Sequence, residues 1–307
     1  MSDQTTDVPG SFLHYAAYKA IGRLTSALPL STQYAIARAA ADVYYKLDRH
    51  ARESVCANLA AVIDTGAKPW EIRHAARSVF QSFGRYLTEF FGFENFSGQY
   101  IDRHVLIQGR EHVDAALKLG HGALFCSGHY SNWELGPAAV ARMGYPVLAV
   151  TQMHAHPKIN ALFVQQRARR GVEVVHSRDA ATRAMKALKN NRTVAMLGDR
   201  PTGGPTVDVD WFGRKTQFPQ GPWRIALRTG AALLPTFVIR RPDNTYFLEI
   251  SAPISIPLYN DPIKNVQAMA QAWAQRWEAR IKNDPSQWEV FYPIWNGLSE
   301  RPSATDE

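Results

Sequence analysis

The 307-residue chain predicts an α/β fold: a mostly parallel central sheet flanked by helices, behind a helical N-terminal subdomain. Two observations predict it. Residues 12–95 read as helical, with alanine-rich periodic segments, and after Gly109 the pattern changes to short apolar runs alternating with amphipathic helices. Such alternation gives parallel strands joined by helical crossovers on both faces.

In order, the polar residues 1–11 are expected to be disordered, and 12–100 to form the helical, membrane-associating subdomain. Within it, Phe12 to Leu30 is rich in Leu, Ala, Ile and Tyr, but His14, Lys19 and Arg23 interrupt it and Pro29 ends it. A spanning helix needs about 20 mostly apolar residues, and no window here supplies them without charges. Asp3 and Asp7 stand where a signal peptide carries positive charge. Helices near 12–28 and 33–47 suit either a membrane interface or an amphipathic pair packed on the core. Pro69-Trp70-Glu71 opens a long amphipathic stretch through Phe80, Phe83, Leu87 and Phe91.

The core is expected over 101–299. Strands are predicted at 122–127, 147–152, 172–176, 193–198, 233–240 and 245–251. Helices are predicted near 111–119, 133–143, 157–170, 179–190, 221–229 and 263–282. The tail 300–307 is expected to be disordered.

Thirty-five Lys plus Arg against 27 Asp plus Glu give a net charge of +8, which favours an anionic partner. The cations are scattered, and no zinc-finger spacing, RNA-binding aromatic motif or basic-region heptad is present. An anionic membrane surface is therefore expected, and no nucleic acid. Cys56 and Cys126 lie in no Cys-x-x-Cys, which argues against a disulfide framework or zinc knuckle.

The sharpest motif is Gly128-His-Tyr-Ser-Asn-Trp-Glu134, directly after the apolar run 123–126. Strand ends are where open α/β sheets hold their chemistry. Positions i and i+5 lie roughly 140° apart on a helix, so His129 and Glu134 converge only if His129 sits on the turn and Glu134 in the first turn of the next helix. Glu134 would then orient the imidazole, leaving its other nitrogen to take a proton from a hydroxyl. Ser131-x-x-Glu134 equally matches a capping box, although Pro137 sits awkwardly inside such a helix.

Three further clusters accompany it. Arg167 lies deeper in its helix than Arg169 and Arg170, which close the helix terminus, and a guanidinium forks onto a phosphate or developing oxyanion. Asp199 follows the run 193–197, where a carboxylate serves either chemistry or a turn. The loop 202–221 mixes Gly203-Gly204, Trp211-Phe-Gly-Arg214-Lys and Gly221-Pro222, a composition suited to a lid or groove that contacts an apolar chain and an anionic head together.

The His129-x4-Glu134 motif resembles the His-x4-Asp/Glu signature of glycerolipid-type acyltransferases. The segment 209–235, the Arg167-x3-Gly171 spacing, the Asp199 strand end, and Asp284-Pro-Ser-Gln-Trp288 with Tyr292-Pro-Ile-Trp295 resemble the late acyltransferases of lipid A biosynthesis and their phosphatidylinositol mannoside-acylating relatives. The likeness spans roughly 12–296. It implies transfer of a fatty acyl group from acyl carrier protein or coenzyme A to a hydroxyl of a glycolipid, at the cytoplasmic face of the bacterial inner membrane. Attachment would be peripheral or through a short N-terminal anchor. It implies His129 as base, Glu134 as its partner, Arg167 for the oxyanion or a substrate phosphate, and Asp199 with Arg200 and Asn132 as supporting polar groups. Trp133, Arg214 and Gly221 are expected to contact substrate. No metal or bound cofactor is implied. A lysophospholipid acceptor, thioester hydrolysis, a covalent route through Cys126 or Ser127, and a non-catalytic lipid-binding protein are the alternatives.

Overall fold

The computed structural model describes residues 28–63, 66–92, 98–154, 156–201 and 203–295. The expectations for 1–11, 12–27 and 300–307 lie outside them. The first described helices are α1 (Leu30–Leu47), α2 (Arg49–Val62) and α3 (Pro69–Phe91). Asp48 caps α2 by accepting from Ala51 N–H at 2.9 Å, and Glu71 returns to the Lys68 N–H at 2.6 Å to close the start of α3. The three helices share a small core of Ala41, Val55, Leu59, Val79 and Phe80. They are not a detached unit, because the far end of α3 sends Tyr86 and Phe90 into the core beneath the sheet.

The remaining elements are α4 (Gly98–His104), β1 (Val105–Gln108), α5 (Arg110–Lys118), β2 (Ala123–Ser127), α6 (Leu135–Arg142), β3 (Val147–Thr151), α7 (Pro157–Ala168) and β4 (Val172–His176). Then come α8 (Ala180–Lys189), β5 (Thr193–Leu197), the pair β6 (Thr206–Trp211) and β7 (Arg214–Pro219), α9 (Gly221–Thr229), β8 (Ala232–Arg240), β9 (Tyr246–Ile250) and α10 (Pro262–Asn283). Seven strands form one sheet in the order β1-β9-β8-β2-β5-β3-β4, parallel throughout except for β8 against β9. The mostly parallel α/β architecture is the one expected, and all six predicted strands are present.

Leu124 and Cys126 face a core built with α8, α9 and α10, while Ala123 and Phe125 face a second core built with α3, α5, α6 and α7. Period-two alternation in a strand covered on both sides produces this division.

Two corrections follow. The loop 202–221, expected as a lid or groove, is largely the antiparallel hairpin β6–β7, with Trp211 and Phe218 fully buried. Val207, Val209 and Trp211 alternate inward with Asp208 and Asp210 outward, a strand pattern obscured by the surrounding glycines. β1 was also unexpected; it is a four-residue strand whose pairing with β9 rests on tertiary contact.

Candidate active site

His129 and Asp199 meet because β2 and β5 are neighbouring parallel strands in register, with Ser127 opposite Leu197. Each residue lies two positions beyond that pair. Adjacent strands are about 4.8 Å apart, so the two exits run side by side. One carboxylate holds His129 twice: Asp199 Oδ2 accepts from its backbone N–H at 2.8 Å, and Oδ1 lies 2.9 Å from Nδ1. An ionised carboxylate only accepts, which places the ring proton on Nδ1 and leaves the Nε2 lone pair available. Asp199 is almost completely buried, while the imidazole is 20% exposed.

Two glycines make the approach possible. A Cβ on Gly128 would lie 2.4 Å from the Trp277 ring and 2.9 Å from Asp199 Oδ2, and one on Gly198 would lie 2.8 Å from Cys126 Sγ. From the other side, Glu289 N–H donates to the His129 carbonyl at 2.9 Å, and Ser131 N–H donates to the Gln287 carbonyl at 2.8 Å. The C-terminal segment thus clamps the turn, a contact the sequence did not indicate.

Glu134 is not the imidazole's partner in this structure, contrary to expectation. Its two carboxylate oxygens take a fork from Arg167, with Nη2 to Oε1 at 2.6 Å and Nε to Oε2 at 3.0 Å. Both side chains are about nine-tenths buried, and the guanidinium lies 5.8 and 5.6 Å from the Phe90 and Phe163 ring centres. Burial opposes the Arg167 charge, but Glu134 outweighs it and raises the guanidinium above its ordinary value. No capping box forms either: Ser131 has φ 52°, and α6 begins only at Leu135 with Glu134 as its N-cap. Pro137 therefore falls in the first turn, where an N–H has no helical partner to lose.

A cavity of about 1290 Å³ reaches His129. Ligand pockets usually hold roughly 300–1,000 Å³, so this one accommodates a large ligand or two. Trp133, Glu134, Arg167, Arg200 and Gly221 line it. Trp133 stacks on Tyr86 at 4.3 Å and presents an edge to His129 at 5.1 Å, and Arg200 lies over Tyr292 at 5.0 Å.

Two predicted residues lie away from both His129 and the cavity. Asn132 is fully buried and donates to Glu89 Oε2 at 2.7 Å, a carboxylate also held by Arg240, Tyr34 and Tyr246. Burial works against ionised Glu89, yet Arg240 and those hydrogen bonds hold it below the usual carboxylate range. Arg214 is exposed at the hairpin end, 5.7 Å from the Trp295 ring centre. Among the described residues no group of His, Cys, Asp and Glu is arranged to hold a metal ion.

The family model described as bacterial lipid A biosynthesis acyltransferase matches residues 2–296. The chain belongs to this family. As a member of this acyltransferase family, it is 29% identical to a phosphatidylinositol mannoside acyltransferase of Mycobacterium tuberculosis over 222 residues, covering 70% of this chain and 68% of that protein. It is 26% identical to the phosphatidylinositol mannoside acyltransferase of Mycolicibacterium smegmatis over 283 residues, covering 91% and 90%. Among solved structures, a 1-acyl-sn-glycerophosphate acyltransferase from Thermotoga maritima aligns with TM-score 0.35 and 16% identity, over 80% of this chain and 98% of that one. Among the described residues no helix of this acyltransferase is long and apolar enough to cross a membrane.

Proposed function

We propose that this chain transfers a fatty acyl group from an acyl thioester, carried by acyl carrier protein or coenzyme A, to a hydroxyl of a membrane glycolipid. The carrying observation is the buried Asp199 carboxylate gripping both the backbone and Nδ1 of His129, a residue that lines the cavity, with Nε2 left unengaged by Asp199. Imidazole Nε2 takes the hydroxyl proton as the oxygen attacks the thioester carbonyl. The tetrahedral intermediate then expels the thiolate, which recovers that proton from the imidazolium. Asp199 fixes the tautomer and stabilises the transient positive charge. Glu134 and Arg167 act as a unit that shapes the cavity wall, and Arg167 is less free to serve an oxyanion because Glu134 already occupies its fork. Ser131 N–H is likewise committed to Gln287.

The covalent route through Cys126 has no support. Burial, followed by the Asp199 charge, pushes that thiol well above its ordinary value, and a thiolate is the form that attacks. Between acceptors, a phosphatidylinositol mannoside is favoured by the names of the relatives, and a lipid A precursor by the family description. The enzyme is taken to work at the bacterial inner membrane, on its cytoplasmic face.

The test is a transfer assay crossing acyl-ACP and acyl-CoA with both acceptors. His129→Ala should lower turnover by roughly 10²–10⁴-fold, the range for general-base catalysis. Asp199→Asn should lower kcat more than it raises KM and change the pH–rate profile. Full activity in His129→Ala, or free fatty acid as the main product, would overturn the reading.

A further inference from the structure

The cavity around His129 has two unlike walls. On the α1 side its lining includes Ile36 and Tyr44, 55% and 40% exposed, an apolar rim suited to lipid. On the α9 side it is lined by Arg224 and Arg228, both exposed and four positions apart, hence on one helix face. No large apolar side chain is exposed between Ser177 and Arg228 among the described residues. Arg224 donates to the neutral Gln220 Oε1 at 3.4 Å, and neither arginine forms an ion pair with a carboxylate among the described residues. The contrast with Arg183 and Arg192 is sharp, since Glu173 neutralises both at 3.2 and 2.6 Å.

Position along the helix adds to this. Gly221 opens α9 at the catalytic end, where a Cβ would lie 3.6 Å from Met196 Cε on β5. The helix then descends toward the start of β8, whose Ala232 pairs with Ala123 at the opposite end of the strands. At about 1.5 Å per residue, Arg228 lies roughly 10 Å farther from the catalytic end than Gly221. Ala181 and Met185 of α8, Met196 of β5 and Ile225 of α9 also line the cavity. A slender arm ending in phosphate matches this path. A phosphate attached close to the accepting hydroxyl matches it less well.

We infer that Arg224 and Arg228 form an anion site for the phosphate of the acyl donor's phosphopantetheine arm, so that donor and acceptor lipid enter through different walls of the cavity. Guanidinium forks hold phosphate bidentately, and two on one face hold it from two directions. The inference rests on the acyl-transfer reading for the identity of the donor, but its binding test does not require turnover.

Dissociation constants would be measured for S-dodecyl thioethers of coenzyme A, 4′-phosphopantetheine and pantetheine, which cannot react. The unsubstituted protein should bind both phosphorylated compounds at least tenfold more tightly than the pantetheine thioether. In Arg224→Gln/Arg228→Gln that preference should collapse to within about twofold while the pantetheine thioether binds as before. Thermal unfolding verifies the fold of a variant altered only at exposed positions. A preference that survives the double substitution, equal loss for all three compounds, or loss of binding to vesicles containing phosphatidylinositol mannoside instead of the thioethers would overturn the site; the last outcome would assign the arginines to the acceptor phosphate. Absence of transfer with the phosphate preference intact would overturn the acyl-transfer reading and not the anion site.

Discussion

At the scale of single residues, the site depends on where carboxylates are buried and what meets them. Asp199 is buried with its carboxylate matched to donors, whereas Glu289 is buried with no ion-pair partner among the described residues and only the Ser82 hydroxyl nearby to offset the loss of water. Burial pushes the Glu289 carboxyl well above its ordinary range, so the folded protein holds this proton more tightly than the unfolded chain does. A raised acid pKa contributes stability that is full below the unfolded value, roughly 4.3, and is lost as the pH rises toward the folded value. Glu289→Gln keeps the shape and removes the titration. Its unfolding temperature relative to the unsubstituted protein should therefore rise between about pH 5 and pH 8, by roughly 2–4 °C for each kcal/mol relieved. A difference independent of pH would refute this account of Glu289.

At the scale of elements, α6 and α7 are joined through the Glu134–Arg167 fork, one partner at the N-cap of α6 and the other near the end of α7. Removing one partner of a buried pair leaves the other charge uncompensated, which costs about 3–5 kcal/mol. Arg167→Met and Glu134→Gln should each destabilise on that scale, and the double variant should be less destabilised than the sum of the two. Denaturant unfolding of the four proteins checks this; additive losses would mean that the pair does not act as a unit. The sequence identified both residues but linked them to different partners. His129 and Glu134 are five apart in the chain, yet Ser131 in the left-handed region and the late start of α6 direct their side chains to separate partners.

At the scale of the whole molecule, the sheet places the His129 turn and an apolar cavity at the carboxyl ends of its central strands. Phe125, Ala149 and Ala195 line that cavity from three adjacent strands, opposite Gly136 and Val140 of α6. The small Ala149, Ala195 and Gly136 leave room there for a ligand chain. Ala149→Leu should shift donor preference toward shorter acyl chains, seen as a fall in kcat/KM for the longest donors with the shortest unaffected. Equal loss across all lengths would show that the chain lies elsewhere.

The sequence by itself determined six strands of the central sheet, most of the helices and the family, because period-two runs, helical spacing and capping prolines are local properties. It also singled out His129, Arg167 and Asp199, each at or near the end of a predicted element. Only the tertiary structure decided that Asp199 rather than Glu134 faces the imidazole, since β5 lies between β2 and β3 in the sheet although it follows β4 in the chain. Adjacency of strands is set by how apolar faces share two cores, and no spacing along the chain encodes it. The same reason hid the hairpin, whose buried Trp211 and Phe218 face a core assembled from distant segments, and the clamp on His129 from residues 287–289.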